Sequence, residues 1–334
     1  MCSCCGAPRP ERGQCRRGPP IKWLMIYNSN PMVTAPHQTL VRAGLAREDL
    51  FTVVHEQFMT DSPRYADYIL PATTQLEHLD LMPSWGQTYL ALNLPAIEPR
   101  GEALPNTELF RRLANQMGYT EEFLMRSDQT MLEMLLDSHS PSLEGITYAR
   151  LVREGWAPLA LPGDWRPLAG GAFPTPSGKL EFYSTTLAAQ GHDPLPAHVA
   201  LDDEDGARFP LLLMSAKHPH FLNSEYVNLR HAGTAAQVPK IQIHPEDAAA
   251  RGIHDGARVR VYNGRGAVEV AAELTDDTLA GVVNLPFNWW PNTTHNNASA
   301  NALTPDGVSD RGIGSNAFDA RVEVGIALSG ANSD

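Results

Sequence analysis

Side chains able to do chemistry gather in three places along this chain. The densest polar cluster is Ser215, Lys217, His218, His220 and Ser224, directly after an apolar run. Three readings compete there. Two histidines at i, i+2 begin a metal site, which needs at least one further ligand, and none is obvious nearby. A catalytic histidine is the second reading. The third, which suits the whole cluster best, is a loop whose Ser, Lys and His side chains and backbone N–H groups hold an anionic ligand. The second place is 288–301 (NWWPNTTHNNASAN), where Asn288, Trp290 and Asn301 stand among further amides, a histidine and a second indole. Neutral amides and indoles suit a flat heteroaromatic ligand, through hydrogen bonds and stacking. The third place is a pair of polar tips, 28–31 and 55–62, each following an apolar run. No Walker sequence, G-x-G-x-x-G or H-E-x-x-H occurs, so the usual phosphate loops and the helical zinc motif are absent.

Regular elements must hold these side chains in place. Residues 21–27 (IKWLMIY) and 50–55 (LFTVVH) have the pattern of buried strands, with a helix expected over 37–46 between them. A helical turn over 62–66 and a short strand over 68–70, stopped by Pro71, follow. This alternation implies right-handed βαβ units and a parallel sheet, and ligands of such sheets sit beyond the carboxyl ends of the strands. The tips 28–31 and 55–62 therefore form one candidate rim. Helices are expected over 106–117, capped by Asn106 and burying Leu109, Leu113 and Met117, then over 120–137 and 147–154. A Gly- and Pro-dense loop covers 156–176, and a strand resumes over 178–183. From 210 the texture turns to β. Apolar runs stand at 210–215, 241–244, 281–285 and 321–326, and 258–262 and 267–274 alternate with period two about Asn263-Gly264. Pro245 opens a short helix that Gly252 closes. About six short strands with one small helix point to a closed barrel.

Composition bounds the function. Apolar residues make up 43% and charged residues 19% of the 334 positions, as in a soluble globular protein with a sizeable core. The formal net charge of −12 opposes nonspecific nucleic-acid binding and attraction to an anionic membrane surface. No apolar run reaches the length of a membrane helix. Neither a nucleic-acid partner nor a membrane span is expected. Cys2, Cys4, Cys5 and Cys15 all fall in the first twenty residues, which are rich in Gly, Pro and Arg. Cys2 and Cys5 stand at C-x-x-C spacing, but no second pair and no nearby His complete a metal or iron–sulfur site. Residues 1–20 have the pattern of a disordered leader without an apolar signal core, and a cytoplasmic location is expected. The expected organisation is 21–190 for an α/β domain, 191–208 for an acidic linker, 209–328 for the barrel and 329–334 for a tail.

Taken in order, these segments resemble the C-terminal part of the molybdopterin oxidoreductases of the dimethyl sulfoxide reductase family. The fullest stretch runs Ile241-Gln242-Ile243-His244-Pro245-Glu246-Asp247-Ala248, then Arg251-Gly252-Ile253-His254-Asp255-Gly256, then Val259-Arg260-Val261 and Asn263-Gly264-Arg265-Gly266. It is similar to the family's "P-x-D-A … G-I-x-D-G-x-x-V-x-V-x-N-x-R-G" run, continued by Gly281-Val282-Val283 and Trp289-Trp290. Asn301-Ala302-Leu303-Thr304 resembles the family's N-x-L-T segment. Upstream, Asn30-Pro31, Phe58-Met59-Thr60-Asp61-Ser62 and Ala66-Asp67-Tyr68-Ile69-Leu70-Pro71-Ala72 are similar to the motifs of its dinucleotide-binding α/β domain. Thr175-Pro176-Ser177-Gly178-Lys179-Leu180-Glu181 is similar to the T-P-S-G-K-hydrophobic-E segment before the barrel.

The resemblance implies a parallel-sheet α/β domain followed by a double-psi β-barrel, together holding bis-molybdopterin guanine dinucleotide on molybdenum or tungsten. Carried over by position, Asn28, Asn30, His55, Glu56, Thr60 and Asp61 would line one nucleotide. Ser215, Lys217, His218 and His220 would approach the pterin and phosphates, and Asn288, Trp290 and Asn301 would contact pterin or guanine edges. The implied reaction is a two-electron oxygen-atom transfer or formate-type oxidation. In the family a large preceding region supplies the iron–sulfur cysteines of many members and the Cys, selenocysteine or Ser on the metal. Residues 1–20 match neither, and Gly312-Ile313-Gly314-Ser315-Asn316 matches the family's terminal S-G-x-P pattern only loosely. The expectation is therefore the C-terminal part of a longer enzyme, inactive alone, with the iron–sulfur cluster in the preceding region and that half, or a partner subunit, as its partner. The alternatives are a noncatalytic cofactor-binding subunit or carrier, and an unrelated barrel that binds protein.

Overall fold

The computed structural model describes residues 19–83, 85–195, 197, 206–229, 238–287, 289–308 and 314–327. The chain divides into two compact units, one of residues Met1–Leu70 with Asp205–Asp334 and the other of Pro71–Glu204.

The first unit begins with strand β1 (Trp23–Tyr27), followed by a single helical turn α1 (Pro31–Thr34), helix α2 (Gln38–Leu45), strand β2 (Phe51–Glu56) and strand β3 (Tyr68–Pro71). β1 and β2 pair in parallel, Trp23 against Phe51 through Tyr27 against His55, and β3 completes the order β1-β2-β3. Val54, Ile26, Met32 and Leu45 form the small core beneath the helices. Proline at the first position of α1 fits a backbone whose N–H has no helical partner. An apolar groove of about 490 Å³, lined by residues including Leu24, Met25, Val41, Leu45 and Leu50, opens along β1 and α2.

The second unit differs from expectation. The parallel sheet does not extend into it. Strands β4 (Asp80–Pro83), β5 (Tyr89–Asn93) and β6 (Trp156–Pro158) form an antiparallel sheet of their own, in the order β4-β5-β6. β6 lies where a loop was expected. Helix α3 (Asn106–Gln116) begins at Asn106 itself, after Pro105, so Asn106 is not its cap. None of its side chains is fully buried and Met117 is 62% exposed, because α3 lies on the surface of its unit. The expected helix over 120–137 is two helices, α4 (Glu122–Met125) and α5 (Asp128–Leu136). Ser127 ends the continuity: its Oγ accepts from the Thr130 N–H at 3.2 Å and caps α5 instead. Helix α6 (Tyr148–Glu154) is capped in the same way by Thr147. Residues 178–183 are not a strand, because local bonds such as Thr175 Oγ1 to the Lys179 carbonyl hold a turn there. A short helix α7 (Thr185–Ala189) follows. The Glu77 carboxylate accepts from the Thr74 N–H, the Arg100 N–H and the Thr74 hydroxyl, which hold it below the usual carboxylate range.

The chain then returns to the first unit as β7 (Leu211–Met214), β8 (Lys240–Ile243), α8 (Pro245–Ala249), β9 (Arg258–Tyr262), β10 (Ala267–Leu274), β11 (Val282–Asn284) and β12 (Ala320–Ile326). The six strands close in the order β10-β8-β11-β7-β12-β9. Pairs β8/β10 and β7/β11 are parallel, and the other four are antiparallel. Period-two sequence puts alternate side chains inside, so Val259 and Val261, Val268 and Val270, Val322 and Val324 fill the barrel with Ile241 and Ile243. Asn263 turns the β9/β10 hairpin, and its Nδ2 ties that turn to the carbonyls of Leu303 (2.8 Å) and Arg321 (2.9 Å).

Residues 21–70 thus group with the barrel rather than with 71–190. Side-chain bonds from α2 to barrel backbone, described below, are the reason. Of the expected linker 191–208, residues 196 and 198–205 lie outside the described ones, as do residues 1–18 of the expected leader and all of the expected tail 329–334.

Candidate functional site

Because β1 and β2 run in parallel, the segments after them emerge at the same carboxyl edge. Asn30 is buried there; its Oδ1 accepts from the Ser62 hydroxyl at 2.7 Å, and that Ser62 oxygen accepts from the Met32 N–H at 3.2 Å. The other end of the Asn30 amide, Nδ2, has no partner among the described residues, nor do Thr60 Oγ1 and Asp61 Oδ2 in the segment after β2 that ends at Ser62. Buried polar groups are nearly always paired, and these three follow parallel strands, whereas Thr52 Oγ1 within β2 and Trp289 Nε1 and Ser299 Oγ on the barrel are likewise unpaired among the described residues. Burial pushes the Asp61 carboxyl above its usual range, against the partial relief of the Arg64 and Arg42 guanidiniums. His55 Nδ1 faces the Leu70 carbonyl at 3.2 Å, which fixes that nitrogen as the donor. Glu56 is half-buried at the end of β2 and accepts from the Gln57 N–H at 2.7 Å. Burial raises its pKa, the backbone N–H groups of Gln57 and Phe58 lower it, and the charge of Glu225 raises it further. Glu225 stands in the barrel loop between β7 and β8. Asn28 is exposed, with a left-handed backbone (φ 49°).

On the barrel side, Ser215 is buried at the end of β7, while Lys217 and His220 are exposed. Lys217 bridges Phe287 through the backbone, so the loops after β7 and β11 run together. His218 stacks on Phe221 (centroids 4.3 Å, 28°) and meets Trp289 edge-on at 5.5 Å. Trp289 is buried, and its Nε1 has no partner among the described residues. Trp290 differs: its indole N–H donates to the Ser224 carbonyl at 2.8 Å. Asn301 is likewise engaged at both ends, Nδ2 donating to the Val33 carbonyl at 2.6 Å and Oδ1 accepting from the Thr304 hydroxyl at 3.1 Å. Asn288 lies outside the described residues. Among those residues no group of three His, Cys, Asp or Glu could hold a metal, and no helix is long and apolar enough to cross a membrane.

Residues 14–116 match the family model of the molybdopterin oxidoreductases, and residues 211–320 match that of the molydopterin dinucleotide binding domain. The chain belongs to the molybdopterin oxidoreductases. Over 92% of its length it is 39% identical to "Probable oxidoreductase YoaE" of Bacillus subtilis, of which it covers 44%. It is 28% identical to the dimethyl sulfoxide/trimethylamine N-oxide reductase of Rhodobacter capsulatus, over 90% of this chain and 40% of that one. The chain therefore spans less than half the length of the curated relatives it matches. The acetylene hydratase structure from Pelobacter acetylenicus superposes with a TM-score of 0.75 at 23% identity, over 92% of this chain and 44% of that one, a likeness of fold.

For a molybdopterin oxidoreductase, the unpaired atoms at the strand edge form a suitable set of hydrogen-bonding groups. One amide N–H, one hydroxyl and one carboxylate oxygen can meet the mixed donors and acceptors of a purine nucleotide. Sequence reasoning singled out Asn30, Thr60 and Asp61 and placed Trp289 in the 288–301 cluster, but it did not single out Phe221, on which His218 stacks. Adjacent tryptophans carry no signal that tells which indole is engaged internally; only the Ser224 carbonyl decides that.

Proposed function

We propose that this chain is the cofactor-binding C-terminal portion of a molybdenum or tungsten oxidoreductase that uses bis-molybdopterin guanine dinucleotide. The observation that carries this reading is the trio of buried, unpaired atoms, Asn30 Nδ2, Thr60 Oγ1 and Asp61 Oδ2, at the carboxyl edge of a parallel sheet. Asn28, Asn30, His55, Glu56, Thr60 and Asp61 bind one guanine nucleotide, with Glu56 accepting from ribose hydroxyls. Ser215, Lys217, His218 and His220 approach pterin and phosphates on the barrel, which we read as double-psi. Trp290 and Asn301 contribute chiefly by shaping the backbone there, since their polar atoms are engaged.

When bound, the cofactor supplies two-electron redox chemistry, an oxygen-atom transfer or a formate-type oxidation. The chain's own residues hold the nucleotide, exclude water from it and fix its orientation. We place the metal's protein ligand and any iron–sulfur cluster in the part of the enzyme that the relatives have beyond this span. The exposed edge of β1 and its apolar groove suit the docking of that part. A second reading, a noncatalytic cofactor-binding subunit or carrier that docks on a partner, rests on the same shortfall in length.

Metal and pterin analysis of the purified chain, alone and co-expressed with its genomic neighbours, tests both readings. Pterin guanine dinucleotide retained without turnover is the expected result for the chain alone. Robust methyl-viologen-linked activity from this chain alone would overturn the division of labour, and absence of pterin in every preparation would overturn the function.

A further inference from the structure

Gln38 is a glutamine where a surface residue is ordinarily found, the first residue of an eight-residue helix, yet it is only 1% exposed. Both ends of its amide are bonded. Nε2 donates to the Met32 carbonyl at 2.6 Å, and Oε1 accepts from the Ser299 N–H at 3.0 Å. Met32 in turn donates its N–H to Ser62, whose hydroxyl holds Asn30. A continuous path of hydrogen bonds therefore runs from barrel residue Ser299 through Gln38, Met32 and Ser62 to the partly unpaired Asn30 amide. A second tie runs beside it, from Asn301 Nδ2 to the Val33 carbonyl at 2.6 Å.

Two neighbouring bonds complete the joint without entering this path. Thr39 Oγ1 donates to the Arg265 carbonyl at 3.1 Å, and Arg42 Nη2 to the Asn297 carbonyl at 2.6 Å. The backbones are in close contact here: a Cβ at Gly266 would stand 2.8 Å from the Ala302 carbonyl oxygen. A buried amide bonded to backbone at both ends permits one arrangement of the two segments and penalises others, since any slip leaves a buried polar group unpaired.

We propose that Gln38 is a positioning residue that couples the strand-edge nucleotide site to barrel segment 297–304, so that occupying the first orders the second. This rests on the reading of Asn30, Thr60 and Asp61 as a guanine nucleotide site. The ligand class is a guanine nucleotide moiety, and the coupling sets the register in which the rest of a dinucleotide cofactor meets the barrel. Ordering of Asn30 tightens Ser62 and Met32, and through Gln38 it tightens Ser299; by linkage, a ligand on the barrel segment strengthens nucleotide binding equally.

Guanosine diphosphate, added to the full chain, is the probe, and segment-resolved amide hydrogen exchange is the readout. In the unmodified protein it should slow exchange at 28–34 and 55–62 and also at 297–304. In Gln38→Leu, which is of similar size and lacks both bonds, protection at 28–34 and 55–62 should persist while that at 297–304 falls about fivefold or more. Thr39→Val removes a bond from the same helix outside the path, and should leave both protections in place. Gln38→Glu keeps the size and the acceptor for Ser299 but not the donor to Met32; it should show the same loss, and it serves if the leucine variant does not fold. Undiminished protection of 297–304 in the Gln38 variants, or its absence from the unmodified protein while 28–34 is protected, overturns the coupling alone. Equal loss in Thr39→Val overturns it as well, by showing general loosening of the joint. No protection anywhere overturns the nucleotide site and the coupling with it.

Discussion

The barrel and the parallel sheet of the first unit are built to different standards of completeness. The barrel closes on itself, so every strand has two neighbours and its interior valines and isoleucines form the larger buried cluster. Of its candidate ligand-facing side chains, Trp290 is bonded to the barrel loop at Ser224 and Asn301 to Val33 across the joint, while Trp289 Nε1 has no partner among the described residues. The sheet has three strands, a four-residue buried core and an open groove, and Asn30 Nδ2, Thr60 Oγ1 and Asp61 Oδ2 at its edge are unpaired among the described residues. Satisfied polar groups make scaffold, whereas unsatisfied ones keep the capacity to bind. The closed barrel therefore supplies rigidity, and the sheet edge adds the unmet hydrogen-bonding capacity of Asn30, Thr60 and Asp61.

The same truncation in both regions is the most direct way to break this comparison. Val261→Ala in the barrel and Val54→Ala in the sheet remove equal atoms from sites that are both fully buried. The barrel change should cost about 2–4 kcal/mol, because its closed wall cannot collapse onto the cavity, and the sheet change about 1–2 kcal/mol. Urea unfolding of the two variants checks this, and equal costs would remove the distinction in rigidity. Next in size is Gly266→Ala at the joint between the regions. The new methyl meets backbone rather than a flexible side chain, so a loss of about 1–3 kcal/mol is expected in thermal melts.

The sheet edge should respond in binding more than in stability. Asp61→Asn should weaken guanosine diphosphate binding about tenfold in calorimetry, the loss of one charge-assisted hydrogen bond. It should leave the melting temperature unchanged or slightly higher, because the buried charge has no full partner. A large drop in stability instead would mean that Asp61 is scaffold, as Asn301 is. The smallest effect is on pH dependence. Burial raises the pKa of both Asp61 and Glu56 above their ordinary values. Between those values and the raised ones, the folded state holds more protons than the unfolded state, so these two groups make stability fall as pH rises. Thermal melts of Asp61→Asn with Glu56→Gln across the mildly acidic range should lack that contribution relative to the parent. The difference matters because carboxylates such as Glu77 and Glu108 are shifted downward and act in the opposite sense.

Much of the architecture was legible because it is periodic or locally punctuated. Apolar runs at 21–27 and 50–55 became parallel strands, and the alternating runs around Asn263-Gly264 became the β9/β10 hairpin within a closed barrel. Pro245 and Thr147 marked helix starts. The failures are equally physical. Residues 178–183 alternate as a strand would, but bonds from the Thr175 hydroxyl to the Lys179 carbonyl and from the Ser177 N–H to the Glu181 carboxylate hold a turn there, which the alternation does not show. Ser127 broke an apparently continuous helix because a serine can cap as readily as it can sit within one.

By itself, the sequence determined which segments are strands of a barrel, which tips follow parallel strands, and the family to which their order belongs. Those features depend on patterning over a few residues and on motif order. Tertiary structure alone decided that residues 21–70 join the barrel rather than the segment that follows them. It also decided that Trp290 and Asn301 have their polar atoms engaged while Trp289, Asn30, Thr60 and Asp61 keep atoms unpaired among the described residues. A glutamine at 38 gave no local sign of its position between two distant backbones, because its partners stand 6 and 261 residues away in the chain. Burial and hydrogen-bond satisfaction are properties of the assembled surroundings, and no window of sequence contains them.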